Sequence, residues 1–352
     1  MLDSPSQERA PAAKTRRARL LRLSDTMIAL LCVLALLDGV LSIPLQNDDA
    51  VTTVWTFSNN TWIENLAIRD SGDILCSSLN RAALYLVNPF EHTATTVHQF
   101  DNTDGVLGIA EVWNDVFVVV TCDVDVATSL AIAGSAKAWE VDMSAWELEE
   151  ASAVTLIANL TSVGIPDGVL TLPSVSGVVL IADAGNGIIW RLDTCSGEYG
   201  IAIQDPLFRT TNTLVPLGVD GIHLLNNNEL YFTSIGDSFL GRVMIDELGT
   251  ALDLATVIAN MTLPDDFAFG ANGTAYLVGA NTPYQALPGG EVIVLAGGAN
   301  DAVQEGATSA AFGKTIEDRD MLYISTNGGM LAPVSGRIVG GQIAAVNVRL
   351  FS

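Results

Sequence analysis

Six segments of this chain repeat one pattern: a turn, a short apolar strand, a polar Gly/Asn/Asp turn and a second strand. They are Glu64–Leu75, Val106–Phe117, Asp167–Leu180, Asp220–Tyr231, Asp265–Tyr276 and Phe312–Tyr323. From residue 51 onward apolar residues alternate in short runs, the period-2 signature of strands, and no long stretch shows a 3.6-residue period. The last residues of successive segments are 42, 63, 51, 45 and 47 positions apart, and a four-stranded blade with its turns takes roughly 40–50 residues. Further strands follow in third and fourth place: Ala83–Val87 then Thr95–Phe100 in the first unit, with Ile188–Leu192 and Leu240–Ile245 as third strands later. The last unit stops after Gln342–Val348, one strand short, and Val51–Phe57 supplies the missing outer strand. Such closure hides sheet edges. The expected fold is an all-β, six-bladed β-propeller; a β-sandwich is the alternative, against which six units in register argue.

Composition narrows the function. The chain has 352 residues, 49% hydrophobic and 16% charged, which excludes disorder. Its 31 Gly and 12 Pro exclude a coiled coil. With 16 Lys+Arg against 40 Asp+Glu, no basic surface exists for nucleic acid. Three His exclude a His-rich metal site and leave few options for His catalysis.

The first 42 residues read as a targeting segment. Arg9, Lys14, Arg16, Arg17, Arg19 and Arg22 precede the apolar run Met27–Leu37. That run suits a signal-peptide core and is short for a membrane span, which needs about 20 residues. Val40 and Ser42 fit positions −3 and −1 of a cleavage site before Ile43; an uncleaved signal anchor is the alternative. Cleavage leaves residues 43–352 as a single propeller domain with 10 basic and 36 acidic residues. A protein so charged repels itself and anionic membranes, so no stable membrane insertion is expected after cleavage. Sequons at Asn59, Asn159, Asn260 and Asn272 agree with secretion and glycosylation. Cys76, Cys122 and Cys195 then remain, which allows at most one intrachain disulfide. Cys76 and Cys122 lie in matching strands of successive units and are the expected pair; three unbridged thiols are the alternative.

In a propeller the innermost strands line a central channel, and their entry turns ring one mouth. The shared register puts Glu64, Val106, Asp167, Asp220, Asp265 and Phe312 at equivalent positions, four of them carboxylates. Crowded like charges raise each other's pKa unless a cation or hydrogen bonds offset them. One reading is a hard divalent cation, Ca²⁺ or Mg²⁺, held by oxygen ligands from Glu64, Asp167, Asp220, Asp265 and Asp266. The other is local turn chemistry, which also favours Asp-Gly and Asp-Asp.

Glu64-Asn65, Pro166-Asp-Gly168, Val219-Asp-Gly221, Leu180–Ala184 and Ile189–Leu192 resemble the six-bladed propellers related to senescence marker protein and gluconolactonase. The resemblance implies a metal site of one Glu, two Asn and an Asp. Glu64 matches the Glu and Asp265 or Asp266 the Asp, but Asp167 and Asp220 stand where that family has Asn. Pro264–Ala268, Gly289–Gly298, Thr308–Gly313 and Leu322–Gly329 resemble the secreted fungal branch of this superfamily, over roughly residues 45–350. That branch includes the hetero-Diels–Alderases of tropolone–sesquiterpenoid biosynthesis, which join a quinone-methide tropolone to a humulene-type alkene.

A pericyclase needs neither nucleophile nor metal. It must hold two apolar partners in a near-attack arrangement, with a donor to polarise the heterodiene carbonyl. The chain lacks a Gly-x-Ser-x-Gly elbow, a zinc-type His cluster and a phosphate loop. Trp62, Trp113, Phe239, Tyr284, Phe312 and Met330 are the expected pocket walls, each of which could equally be core. Asn65, His223 and Thr282 are the expected carbonyl donors. The lead expectation is therefore a fungal secondary-metabolism enzyme of the hetero-Diels–Alderase kind, acting on small apolar substrates without a required cofactor. The alternatives are a divalent-metal lactonase, in which an ion activates water, and a non-catalytic binding propeller.

Overall fold

The computed structural model describes residues 51–125, 130–150, 153–295, 305–333 and 336–351. The expected targeting segment, residues 1–42, therefore lies outside the described residues. Strand β1 (Val51–Thr56) opens the described chain. Blade 1 is β2 (Ile63–Ile68), β3 (Ile74–Ser78), β4 (Ala83–Asn88) and β5 (Thr93–Gln99). Blade 2 begins with β6 (Gly105–Trp113) and β7 (Val116–Cys122). A hairpin, β8 (Val124–Asp125) and β9 (Leu130–Ala131), then interrupts it before β10 (Lys137–Asp142), helix α1 (Met143–Glu147) and β11 (Val154–Asn159). Blade 3 is β12 (Pro166–Thr171), β13 (Val178–Asp183), β14 (Ile188–Asp193) and β15 (Tyr199–Ile203). Blade 4 is β16 (Val219–Leu225), β17 (Glu229–Ser234), β18 (Phe239–Met244) and β19 (Thr256–Asn260). Blade 5 is β20 (Phe267–Phe269), β21 (Ala275–Gly279), β22 (Thr282–Ala286) and β23 (Val292–Val294). Blade 6 is β24 (Ala307–Phe312), β25 (Met321–Thr326) and β26 (Gln342–Asn347), completed on its outer edge by β1. The expected propeller and its closure are thus present. The hairpin and α1 account for the long 63-residue step.

Each blade is hydrophobic on both faces, because each face packs on a neighbour. In β7, Phe117 and Val119 turn to blade 1 while Val118 and Val120 turn to blade 3. In β13, Val179 and Ile181 face blade 2 while Leu180 and Ala182 face blade 4. The second strands therefore read as unbroken apolar runs, and period 2 sorts one run into two cores. The same sorting breaks the expected disulfide. Cys76 faces the blade 6–blade 1 core and Cys122 the blade 2–blade 3 core, and both are buried free thiols. Burial pushes both thiols well up. Cys195 is free and exposed.

At the channel end the inner strands carry a two-residue bulge. It lies between Ile63 and Leu66 in blade 1, between Val106 and Ile109 in blade 2, between Pro166 and Val169 in blade 3 and between Val219 and Ile222 in blade 4. Glycines in this layer let neighbouring strands touch. A Cβ on Gly108 would lie 1.9 Å from the Asp167 carbonyl oxygen, and one on Gly168 2.5 Å from that of Asp220. At the opposite end of the channel, buried Arg69 donates from Nε and Nη2 to Asp115 at 2.8 and 2.6 Å and from Nη2 to Glu147 at 2.7 Å, tying blade 1 to blade 2. Among the described residues no helix is long and apolar enough to cross a membrane.

Gly108→Ala is expected to cost ~1–3 kcal/mol through backbone overlap. Gly200→Ala, on the open edge of β15 with nothing within 4 Å, should stay within about 0.5 kcal/mol. Urea unfolding of the two variants tests the contrast.

Candidate functional site

The bulges place one side chain per blade at the channel mouth. These are Glu64, Leu107, Asp167, Asp220, Asp265 and Thr308, with Asn65, Gly108, Gly168, Gly221, Asp266 and Ser309 one residue deeper. Two expected ring positions are therefore corrected. Leu107 replaces Val106, because a second bulge between Glu111 and Trp113 shifts the strand by one. Thr308 replaces Phe312, because the β24–β25 turn spans residues 313–320 whereas the β2–β3 turn spans only 69–73.

The structure brings Glu64, Asp167, Asp220, Asp265 and Asp266 together, Asp265 half-buried and the other four buried. Trp62 Nε1 donates to Glu64 Oε2. Asp167 and Asp220 stand close enough to share a proton, and Asp220 Oδ1 has no hydrogen-bond partner. Asp266 Oδ1 lies 2.9 Å from His223 Nε2, and its Oδ2 accepts from Ser309 Oγ at 2.7 Å. Ser309 donates to the carboxylate and not to the imidazole, so the three form no nucleophilic triad. Burial first, then the neighbouring charges, holds Glu64, Asp220 and Asp265 well above the usual carboxylate range. Asp167 is pushed up to about 6, mainly by burial.

The hard cation implied by the resemblance does not fit this arrangement. Among the described residues no three His, Cys, Asp or Glu side chains converge as ligands. Glu64 Oε2 and both oxygens of Asp266 already accept hydrogen bonds.

Asn65 is the best-defined polar group here. Its Oδ1 accepts from Leu66 N at 2.9 Å, while Ser309 Oγ, whose proton goes to Asp266, lies 3.4 Å away. The backbone N–H of Leu66 can only donate, which fixes the amide orientation. The Nδ2 group is left with no partner among the described residues and is the free donor of the ring.

Of the expected pocket walls, Trp62 and Met330 stand at the mouth. Met330 and Leu331 pack on the core that holds Trp62, Leu79 and Leu107, and Asn80 Nδ2 lies 3.8 Å from Met330 Sδ. The other four sit elsewhere. Trp113 ends β6 at the far side of the blade, where Nε1 donates to Ser176. Phe312 ends β24 and packs edge-on against Tyr276. Phe239 and Tyr284 are buried on third strands, in blade interfaces. Thr282 likewise starts a third strand, two strands out from the channel. Each was apolar or near a turn, but strand order decides distance from the axis. A cleft of about 650 Å³ lined by Val97, His98, Trp146 and Glu147 lies on the outer rim, away from the mouth.

Sequence reasoning missed Leu107, Thr308, Ser309 and three wholly buried hydroxyls, Ser77, Thr233 and Ser325. A signal existed. Each of those three lies two residues after the repeat markers Leu75, Tyr231 and Tyr323.

No family model matches the chain. Two fungal proteins do, both carrying the name "Putative hetero-Diels-Alderase". The one from Phoma sp. is 30% identical over 317 residues, 81% of this chain and 88% of that protein. The chain belongs to this hetero-Diels–Alderase family. The Sarocladium schorii member is 29% identical over 312 residues, 77% of each chain. Solved structures share the propeller alone. A luciferin-regenerating enzyme aligns with TM-score 0.60 at 14% identity, covering 84% of this chain and 94% of that one. The calcium-binding regucalcin of Agrobacterium tumefaciens gives 0.58 at 14%, covering 84% and 95%. A gluconolactonase of Xanthomonas campestris gives 0.57 at 13%, covering 87% and 94%.

The raised Asp167 fixes a pH dependence. Its folded pKa of about 6 exceeds the ordinary 3.8, so the folded state binds the proton more tightly. That contribution is full below 3.8 and gone above about 6. Across this window the hetero-Diels–Alderase family member should lose stability as pH rises, equivalent to about 5 °C in Tm. Asp167→Asn should flatten the slope in differential scanning fluorimetry.

Proposed function

We propose that this protein controls a hetero-Diels–Alder coupling, holding a quinone-methide heterodiene and an apolar alkene at the channel mouth. The observation that carries the reading is the 30% identity to the Phoma protein over 81% of the chain. The geometry supports it with an apolar roof, Trp62 and Met330, over a floor that holds a free amide donor. The reaction forms two bonds between two unsaturated partners and expels nothing. It requires no nucleophile, only contact geometry and polarisation of the heterodiene carbonyl. Asn65 Nδ2 is the catalytic donor of this reading, lowering the heterodiene's acceptor orbital through a hydrogen bond to that carbonyl. The aromatic face of Trp62 and the adaptable Met330 side chain would hold the ligands against it. Burial favours the protonated forms of Glu64, Asp220 and Asp265, which limits repulsion of an electron-rich oxygen.

The same reading places the protein in the secretory pathway. All four sequon asparagines, Asn59, Asn159, Asn260 and Asn272, are exposed, so each is sterically open to glycosylation.

Purified protein should turn a quinone-methide tropolone and a humulene-type alkene into one diastereomer, resolved by chiral chromatography, and EDTA should leave the rate unchanged. Asn65→Ala should slow coupling about 100-fold, the usual loss of one preorganised donor. A product mixture equal to the uncatalysed one would sink the proposal. Chelator-sensitive lactone hydrolysis would favour the metal-dependent alternative.

A further inference from the structure

The bulge that turns Asn65 toward the channel also strips it of sheet hydrogen bonds, and side-chain hydroxyls replace them. Ser77 Oγ, on β3, accepts from Asn65 N at 3.0 Å and faces the Asn65 carbonyl oxygen at 3.4 Å. Ser325 Oγ, on β25 of blade 6, donates to the Glu64 carbonyl at 3.1 Å. Thr308 Oγ1 donates to the Ile63 carbonyl at 2.9 Å. Together with Leu66 N on Oδ1, these contacts occupy every polar group of Asn65 except Nδ2.

The bulge itself does not demand a hydroxyl. The residue of the second strand that sits under it is Ser77 in blade 1, Thr233 in blade 4 and Ser325 in blade 6, but Val120 in blade 2 and Ala182 in blade 3. Blades 2 and 3 make the same bulge over an apolar side chain, with Gly108 and Gly168 at the place of Asn65. In blade 4 the hydroxyl has a related task, since Thr233 Oγ1 accepts from Gly221 N at 2.9 Å and donates to the Asp265 carbonyl at 2.5 Å. Hydroxyls thus appear under the bulges of blades 1, 4 and 6, where they take up backbone groups at the bulge; only in blades 1 and 6 does the residue above, Asn65 or Ser309, carry a side chain.

We propose that Ser77, aided by Ser325, is a positioning residue that aims the Asn65 amide into the channel mouth. The proposal deepens the coupling reading and rests on it for its kinetic consequence. Ser77 touches no substrate. It acts by fixing the backbone from which the Asn65 side chain leaves, so that the donor meets the carbonyl without reorganising.

The test is a double-mutant cycle on the full chain. Ser77→Ala should lower kcat about tenfold, as a displaced catalytic group does, with KM changed less than about twofold, since apolar contacts that bind substrate are untouched. Ser77→Thr should restore kcat, because Thr233 shows that threonine fits under the same bulge. In the Asn65→Ala background, Ser77→Ala should cause no further loss, as expected when one residue acts through the other. An equal loss in that background, or an unchanged kcat in Ser77→Ala, overturns the proposal. A second readout is independent of turnover. In asparagine-¹⁵N-labelled protein, the Nδ2 resonance pair missing from Asn65→Ala should be sharp in the wild type, broadened or doubled in Ser77→Ala and sharp again in Ser77→Thr. Wild-type protein without coupling activity but with this spectral pattern would overturn the function and leave the positioning intact. An unperturbed pair in folded Ser77→Ala would overturn the positioning.

Discussion

Everything at the channel mouth depends on how closely the inner strands approach one another there. Gly108 rests against the Asp167 carbonyl and Gly168 against that of Asp220, at separations no side chain would tolerate. Gly221 N reaches toward the Asp265 carbonyl at 3.3 Å. The bulges that permit this approach turn Glu64, Asp167, Asp220 and Asp265 inward, burying the first three and half-burying Asp265. Burial, more than mutual repulsion, then sets their chemistry. A carboxylate without solvent favours its protonated form, and no arginine or lysine side chain forms an ion pair with these four among the described residues. The ring is consequently a set of weak acids and hydrogen-bond donors. That suits a reaction whose partners are neutral and whose product differs from them only in bonding.

The relation to the gluconolactonase-like propellers is one of scaffold. The strands bring oxygen-bearing side chains to the same mouth, but Asp167 and Asp220 stand where that resemblance implies Asn. An amide and a carboxylate are nearly isosteric and differ in charge. Two extra acids add two buried titratable groups to the ring, and Trp62, His223 and Ser309 engage Glu64 Oε2 and the two oxygens of Asp266. The polar half of the layer below, Asn65, Asp266 and Ser309, faces three glycines on the other half. The resulting floor is asymmetric. An unsymmetrical floor is what a protein needs in order to present one face of a planar ligand.

The apolar roof joins chemistry to packing. Met330 and Leu331 leave blade 6 and settle on the core shared by blades 2 and 3, beside Trp62 and Leu107. Leu107 is the one apolar member of the ring, and it lies on the side where the roof lands. The site is therefore assembled from at least three blades and exists only when the ring is closed by β1 on β26.

The sequence by itself determined the six units, their alternating strands, the closing N-terminal strand and the acidic character of the mouth. Those features are local, because period 2 and turn chemistry are written in consecutive residues. It also marked Glu64, Asn65, Asp167, Asp220, Asp265 and Asp266 as neighbours, because repeat register converts sequence position into position around an axis. Tertiary structure alone decided how far each side chain lies from that axis. Phe239, Tyr284 and Thr282 look like mouth residues in the chain but stand on third strands, and Trp113 and Phe312 lie at the far ends of inner ones. A one-residue bulge moved the ring from Val106 to Leu107, and a longer turn moved it from Phe312 to Thr308. Bulges and turn lengths are settled by how neighbouring sheets fit, and so is the separation of Cys76 from Cys122 into two different cores. Which way a residue faces can be read from alternation; what it faces depends on the blade next door.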